Sequence, residues 1–108
     1  MSTISTHVLD TALGRPAPGI RVSLTRGGKE IGSAVTDAEG RAKDLHGKTP
    51  LAAGAYALTF SVGPYFAAAK RETFYDLIVI DFRIGAAAQH YHVPLLLSPF
   101  GYTTYRGS

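Results

Sequence analysis

The chain has 108 residues, a length that fits one domain with its own core, and we expect a single domain over residues 1–108. Because 45% of the residues are hydrophobic and 18% are charged, the composition argues against a disordered chain. The net charge is +3, and the basic residues are scattered rather than clustered, which argues against nucleic acid as a partner.

The sequence has no cysteine, which excludes a disulfide framework and a thiolate zinc site and fits a reducing compartment. The first residues lack a basic start followed by an apolar run, so no signal peptide is predicted. No apolar stretch approaches membrane-spanning length. We therefore expect a cytoplasmic protein without a membrane partner.

Hydrophobic residues alternate with other residues along much of the chain, which is the period of a half-buried β-strand. In chain order, the sets that share one strand face are Ile4, Thr6 and Val8; Ile20, Val22 and Leu24; Tyr56, Leu58, Phe60 and Val62; and Ile78, Ile80, Phe82 and Ile84. Turn segments such as RPAPG at 15–19 and DAEG at 37–40 separate these strands. Many short strands joined by such turns predict an all-β protein with a β-sandwich fold.

One segment, GPYFAAAK at 63–70, is predicted to be helical. Gly63 stands where an N-cap would fall and Pro64 at the first helical position, ahead of an alanine-rich stretch. The segment has only about two turns. We therefore expect it to connect two strands rather than to form a layer of its own.

The last patterned segment, at residues 90–108, contains an unusual strand. One of its faces fits a core and carries Tyr91, Val93, Leu95 and Leu97. The opposite face carries His90, His92, Pro94 and Leu96. An apolar face with two histidines is typical of an oligomer interface that contains a site. The closing YTTYRGS is predicted to be an edge strand.

Taken one at a time, the polar candidates favour no particular function. A histidine such as His7, His90 or His92 is more often a surface or satisfied core residue than a catalytic one. Arg41, which follows the turn TDAEG, is more often a solvated arginine, and His46 has no site-like neighbours in its loop. The HYH pair has no third ligand at a fixed spacing, and no phosphate-binding, dinucleotide-binding or nucleophile-elbow motif occurs. The residues alone thus predict a β-sandwich with a histidine-bearing face.

Three segments considered together are more specific. They are ISTHVLDTALGRPAPGIRVSL near the start, TDAEGR in the middle and HYHVPLLLSPFGYTTYRGS at the end. These segments resemble those of the transthyretin-related family and occur in the same order along the chain. Within that family, they are most similar to the 5-hydroxyisourate hydrolase branch. The resemblance covers almost the whole chain and weakens across residues 63–89. The closing YRGS is specific, because hormone-carrying transthyretins have the fold but lack this tetrapeptide.

The resemblance implies a transthyretin-like two-sheet β-sandwich with one short helix, assembled as a homotetramer that is a dimer of dimers. Active sites would lie in the channel between dimers, and the substrate would be 5-hydroxyisourate, without a metal or an organic cofactor. The positions that match the catalytic residues of the family are His7, Arg41 and His92, and those of its terminal motif are Tyr105, Arg106, Gly107 and Ser108. Substrate contacts are implied for His7, Arg41, Tyr105, Arg106 and Gly107. No catalytic role is implied for His90.

Lactam hydrolysis needs a base for water, positive charge or donors for the oxyanion, and orientation of the planar ring. Imidazole suits the base role near neutral pH, and the sequence leaves the choice between His7 and His92 open. Arg41 suits the developing negative charge. Ser108, the last residue of the sequence, would bring a hydroxyl and an α-carboxylate together. We expect it to assist catalysis by orienting water or a histidine rather than to act as a nucleophile.

Two other functions fit the same fold. A transthyretin-like carrier would hold a small aromatic ligand in the channel without turnover, and a structural sandwich would assemble through PLLLSPF at 94–100. The hydrolase is distinguished from the carrier by convergence of His7, Arg41, His92 and the terminal tetrapeptide. A purely structural role would leave this polar set unexplained.

Overall fold

A computed structural model describes residues 2–108 as ten strands and one short helix. The strands are β1 (Thr3–Asp10), β2 (Arg15–Pro16), β3 (Arg21–Arg26), β4 (Lys29–Val35), β5 (Arg41–Lys43), β6 (Gly54–Ser61), β7 (Leu77–Ile84), β8 (His90–His92), β9 (Leu95–Ser98) and β10 (Gly101–Thr104), and the helix is α1 (Val62–Ala68). One sheet has the order β10-β9-β1-β2, with β5 and β8 also paired to β1, and the other has the order β4-β3-β6-β7. The predicted two-sheet β-sandwich with one short helix is confirmed.

The core lies between the two sheets and is built from alternate residues of their strands. The predicted core faces are confirmed, because every residue predicted to face the core is buried except Phe82, which is partly buried. The buried residues are Ile4, Thr6, Val8, Ile20, Val22, Leu24, Tyr56, Leu58, Phe60, Val62, Ile78, Ile80, Ile84, Tyr91, Val93, Leu95 and Leu97. Side chains between them point away from the core because successive strand residues face opposite sides. On β1 this leaves the half-buried Thr3, Ser5 and His7 on the outer face.

Strand β1 is the central element of its sheet. Its first half lies between β5, which runs antiparallel to it, and β8, which runs parallel. Its second half pairs with β2 and β9. The outer face of the first half is therefore flanked by side chains from two strands that are distant in sequence.

Helix α1 begins at Val62, with Ser61 as its N-cap residue, so the predicted start, with Gly63 as the N-cap, was wrong by two residues. The Ser61 side chain makes no capping hydrogen bond. Instead, the backbone N–H groups of Val62 and Gly63 both donate to the carbonyl oxygen of Asp76, each at 3.0 Å. A distant backbone group thus satisfies the first turn, which a local sequence pattern does not reveal. Among residues 2–108, no helix is long and apolar enough to span a membrane.

The end of β1 is fixed by an ion pair between the buried Asp10 and the partly exposed Arg71. The fully buried carboxylate of Asp10 accepts hydrogen bonds from Arg71 Nη1 at 2.7 Å and from the Tyr65 hydroxyl at 2.8 Å. Burial alone would raise the pKa of Asp10, but the bonds from Arg71, Tyr65 and the Leu13 backbone N–H outweigh it and hold that pKa below its ordinary value. The pair therefore ties β1 to α1 and the segment that follows it.

Replacing Asp10 with alanine should lower the free energy of unfolding by about 1–3 kcal/mol, because Tyr65 and Arg71 would lose their common hydrogen-bond acceptor. Urea denaturation at one fixed protein concentration measures this change. Since the folded-state pKa of Asp10 is lowered, the difference in unfolding free energy between the wild type and Asp10→Ala should shrink as the pH falls below 3.8. The control is Glu30→Ala, which removes the exposed ion pair with Arg21 and should cost less than about 1 kcal/mol. Equal losses in the two variants would contradict this account of Asp10.

Candidate active site

Polar side chains from three strands meet on the outer face of β1. His7 lies directly opposite Arg41 of β5, and Ser5 lies directly opposite His92 of β8. Residues that are paired across neighbouring strands place their side chains on the same face of the sheet. The registers therefore bring two histidines and an arginine together from positions far apart in the sequence.

An open cleft of about 450 Å³ lies on this face. Its lining includes Ser5, Arg41, Lys43, His90, His92 and Ser108. Three predicted catalytic residues, Arg41, His92 and Ser108, therefore share one cavity. His7 lies beside Arg41 on the same strand face but does not line this cleft.

The turn TDAEGR sets the position of Arg41. The Asp37 carboxylate accepts the backbone N–H groups of Glu39 and Arg41, at 2.9 and 3.0 Å. These two hydrogen bonds hold the pKa of Asp37 below its ordinary value, and the bond from the Arg41 N–H has the larger effect. Gly40 has a φ of +76°, and a Cβ there would collide with the carbonyl oxygen of Val8. Glycine thus lets the turn pack directly on β1, which starts β5 opposite His7.

The same turn fixes the tautomer of the neutral His7 ring. Its Nε2 lies 2.8 Å from the backbone carbonyl oxygen of Glu39. Because a carbonyl oxygen only accepts hydrogen bonds, Nε2 carries the hydrogen. The neutral form of His7 therefore has its lone pair on Nδ1.

His92 is the half-buried histidine of the cleft. Its Nδ1 lies 2.8 Å from the Ser5 hydroxyl, whereas its Nε2 has no hydrogen-bond partner within residues 2–108. Burial is the largest cause that lowers the pKa of His92, followed by the charges of His90, His7 and Arg41. Since the ordinary value is 6.5, a lowered pKa leaves the imidazole neutral at pH 7 and able to accept a proton.

The terminal segment lies beside the strand that carries His92. The predicted edge strand ends at Thr104, as β10, and Gly107 then forms an isolated antiparallel bridge with His92. The Gly107 N–H donates to the His92 carbonyl oxygen at 2.8 Å. A Cβ on Gly107 would lie 2.6 Å from His92 Cδ2, which is closer than real contacts allow. The glycine of YRGS thus lets the tail pack on the imidazole and brings Ser108 into the cleft.

Substituting Gly107 with alanine should displace the ring of His92, the predicted catalytic histidine, and lower the predicted hydrolase activity by up to about 10²-fold, because misplacement of a catalytic group by about 1 Å has that cost. The control is Gly101→Ala, where the nearest atom to a new Cβ is Ser98 Oγ at 3.7 Å, an ordinary contact. Rates per folded protein, with folding checked by circular dichroism, compare the two variants. Equal activity in both would contradict the proposed packing against His92.

Tyr105 and Arg106 lie elsewhere in this chain. They line a second cleft of about 330 Å³ together with residues of β7. Arg106 donates to Gln89 Oε1 at 2.8 Å and lies over the Tyr91 ring, 4.7 Å from its centroid. The structure therefore brings Ser108 to the cleft and Gly107 against His92, whereas Tyr105 and Arg106 lie at the second cleft. Their substrate contacts stay predictions.

Ser5 and His90 also belong to this face, although the sequence predicted no catalytic role for either residue. Ser5 Oγ bonds both His92 Nδ1 and His90 Nε2, and His90 also lines the cleft. Strand alternation already placed Ser5 beside His7, and HYH placed His90 beside His92, so the signal was present. His46 is buried and does not line the cleft. Within residues 2–108, no three His, Cys, Asp or Glu side chains are grouped as a metal site would require.

The fold and the cleft define a two-sheet β-sandwich with a site formed by histidine and arginine side chains. The sequence model of the HIUase/Transthyretin family matches residues 4–107, and the chain belongs to this family. The predicted resemblance is thereby confirmed.

Relatives with high coverage are named as hydrolases. The chain is 45% identical to the 5-hydroxyisourate hydrolase of Caulobacter vibrioides, covering 100% of both chains. It is similar to the structure of Klebsiella pneumoniae 5-hydroxyisourate hydrolase, with a TM-score of 0.92, 47% identity and 100% coverage of both chains. Sea bream transthyretin in complex with thyroxine has a TM-score of 0.87 at 29% identity, covering 96% of this chain and 93% of that one. The fold is therefore shared by hydrolases and a thyroxine-binding protein.

Proposed function

We propose that this protein is a 5-hydroxyisourate hydrolase. It would open the lactam ring of 5-hydroxyisourate with water to give 2-oxo-4-hydroxy-4-carboxy-5-ureidoimidazoline, a step of urate degradation in purine catabolism. The observation that carries this proposal is that Arg41, His92 and Ser108 line one cleft, with His7 beside Arg41. A carrier that binds an aromatic ligand without turnover has no need of this set. The names of the relatives with 45% and 47% identity support the same activity.

The cleft has a suitable size and charge for this substrate. A volume of about 450 Å³ lies within the range of small-molecule sites, about 300–1,000 Å³. Arg41 and Lys43 place two positive charges in the lining, next to one acidic residue, Asp44, and their donors favour a substrate whose carbonyl oxygens gain negative charge during the reaction. The polar lining therefore fits a hydroxylated, carbonyl-rich bicycle.

His92 is the proposed general base. Burial keeps it neutral at pH 7, Ser5 holds its Nδ1, and Nε2 is left to take a proton from water. The hydroxide oxygen formed in this step bonds to the lactam carbonyl carbon. His92 then returns the proton to the ring nitrogen as the C–N bond breaks.

Arg41 and His7 are proposed to bind the ring on which this attack occurs. The Arg41 guanidinium carries a permanent charge and donates to the carbonyl oxygen that becomes the oxyanion. His7 is oriented by Glu39, so its Nδ1 lone pair is available to accept a substrate N–H. Together the two groups would orient the planar ring against His92.

The terminal tetrapeptide has two proposed roles. Ser108 lines the cleft and would orient the attacking water, while Gly107 holds the tail against His92. Tyr105 and Arg106 lie beside β7 in their own chain, so substrate contacts from them would require a cleft completed by another copy. Truncation after Thr104 should therefore abolish turnover.

We propose a homotetramer, a dimer of dimers, as the assembly. Support comes from edge strands such as β7 and β10, each of which leaves a hydrogen-bonding edge unpaired in the single chain. On β7, Leu77 and Val79 expose 57% and 52% of their surface. A cytoplasmic location stays a prediction.

The assembly can be measured by light scattering coupled to size-exclusion chromatography. A tetramer should elute with about four times the chain mass of 11.5 kDa. Replacing Val79 with lysine should shift the mass to a smaller species, because a charge would be buried in the interface. A monomeric wild type at micromolar concentration would contradict the tetramer.

The hydrolase activity is tested by the ultraviolet absorbance of freshly generated 5-hydroxyisourate. The chain should accelerate its decay well beyond the rate in buffer, and the variant truncated after Thr104 should not. A wild-type trace that matches buffer, together with saturable binding of the substrate, would favour the carrier instead. Circular dichroism of the truncated chain checks that a lost rate does not reflect unfolding.

A further inference from the structure

A chain of hydrogen bonds runs along the outer face from the surface to the proposed base. Thr3 Oγ1 lies 2.6 Å from His90 Nδ1, Ser5 Oγ lies 2.9 Å from His90 Nε2, and Ser5 Oγ lies 2.8 Å from His92 Nδ1. The parallel register of β1 with β8 produces it, because Thr3 pairs with His90 and Ser5 pairs with His92. Two hydroxyls and two imidazoles thus alternate in one connected row.

The row restricts the protonation of both rings. The Ser5 hydroxyl has one hydrogen, so it donates to one imidazole and accepts from the other. If Ser5 donates to His90, His92 must carry its hydrogen on Nδ1 and its lone pair on Nε2. If Ser5 donates to His92, the hydrogen of His92 lies on Nε2. The first arrangement makes His92 a base, and the second makes it an acid.

We propose that Ser5 and His90 are positioning residues that set the tautomer of His92 and relay its proton to the surface. The proposal deepens the proposed hydrolase function and rests on it. It assigns to His90 and Ser5, which both line the cleft, a role in proton transfer rather than in substrate binding. Thr3 forms the outer end of the relay.

One passage along the relay is balanced in atoms and charge. Water gives a proton to His92 Nε2 while the Nδ1 proton of His92 moves to Ser5 Oγ. The hydroxyl proton of Ser5 moves to His90 Nε2, and the Nδ1 proton of His90 leaves through Thr3 to solvent. No heavy-atom bond breaks within the relay, and both imidazoles end neutral. When His92 delivers its Nε2 proton to the ring nitrogen, a solvent proton enters at Thr3 and the row reverses.

The burial pattern explains why such a relay is useful. His92 is half-buried, and burial is the largest cause that lowers its pKa, so an imidazolium is disfavoured at this position. His90 is exposed and bonds Thr3 at the strand end. A proton passed outward therefore leaves the desolvated ring for a hydrated one.

Two serine variants test the link to His92. Ser5→Ala should lower kcat by about 10-fold or more with KM changed by less than about two-fold, since the relay serves proton transfer rather than binding. Ser5→Thr keeps the hydroxyl on a strand and should restore most of the rate. Ser33→Ala, at an exposed serine of β4 in the other sheet, is the matched control. Equal kcat in Ser5→Ala and wild type would overturn the proposal.

Two variants of His90 test the direction of the relay. In His90→Glu the new carboxylate only accepts, so Ser5 must donate to it and His92 keeps its hydrogen on Nδ1. In His90→Lys the ammonium only donates, so Ser5 is expected to donate to His92 and leave the hydrogen on Nε2. Imidazole ¹⁵N shifts at about pH 8, where His92 is neutral, report the tautomer without any turnover. The same tautomer of His92 in both variants would overturn the proposal.

The two proposals can fail separately. A wild type without hydrolase activity, but with opposite His92 tautomers in the His90 variants, would overturn the proposed function and leave the relay geometry standing. An active wild type whose rate and tautomer do not respond to Ser5→Ala would overturn the relay alone.

Discussion

Replacing His92 with asparagine is expected to lower kcat by about 10²–10⁴-fold, the usual contribution of a positioned general base. Asparagine is chosen because its amide lies near the former Nδ1 and can still bond Ser5, 2.8 Å from Nδ1 in the wild type. The substitution removes Nε2, the nitrogen that would take the proton from water. KM should change far less than kcat, since the lost group acts mainly on the transition state.

The control for this variant is His46→Asn, the same substitution at a histidine that is buried and does not line the cleft. Activity per folded protein should stay near the wild-type level, with the folded fraction measured by circular dichroism. Near-normal turnover in His92→Asn would contradict the role of His92 as the base.

Replacing Arg41 with alanine should lower kcat by about 10²–10³-fold, the usual cost of removing one stabiliser of an oxyanion. The Arg41 side chain is 52% exposed and its ion pair with Glu39 is long, at 3.7 Å, so this pair does not prevent the guanidinium from turning toward a bound ring. Arg41→Lys should recover only part of the loss, because an ammonium lacks the planar fork of donors. Steady-state kinetics on freshly generated 5-hydroxyisourate measures both variants.

Arg21 offers a matched control on the other sheet. Its side chain is also 52% exposed and also pairs with a glutamate, Glu30, at 2.9 Å. Arg21→Ala makes the same change in charge and should leave kcat unaltered. If Arg21→Ala and Arg41→Ala lower the rate equally, general electrostatics rather than contact with the oxyanion is responsible.

The strand faces could be predicted from the sequence because alternation is a local property. Ile4 and Val8 are buried, while His7 lies on the outer face with Ser5, as a period of two requires. The pair His90 and His92 was placed on one face for the same reason. The identity of the catalytic candidates required the family resemblance, since each histidine alone favoured no function.

What could not be predicted depends on contacts between distant segments. The parallel pairing of Ser5 with His92 is set by the packing of β1 and β8, and no local pattern specifies that register. The start of α1 depends on the carbonyl oxygen of Asp76, which follows the helix in sequence. The neighbouring residues Arg106 and Gly107 lie at different clefts, and this also depends on tertiary contacts. Gly107 packs on the His92 ring, whereas Arg106 lies over the Tyr91 ring.

Counting turnovers distinguishes a hydrolase from a carrier. Freshly generated 5-hydroxyisourate in about a thousandfold molar excess over protein should be consumed completely and faster than in buffer, because enzymes typically turn over about 1–10³ times per second. A carrier would instead bind no more than about one equivalent of 5-hydroxyisourate per site, and only this bound fraction would be protected from decay. Many turnovers per chain in the wild type are the predicted result. Decay at the buffer rate, with at most stoichiometric binding, would contradict the account.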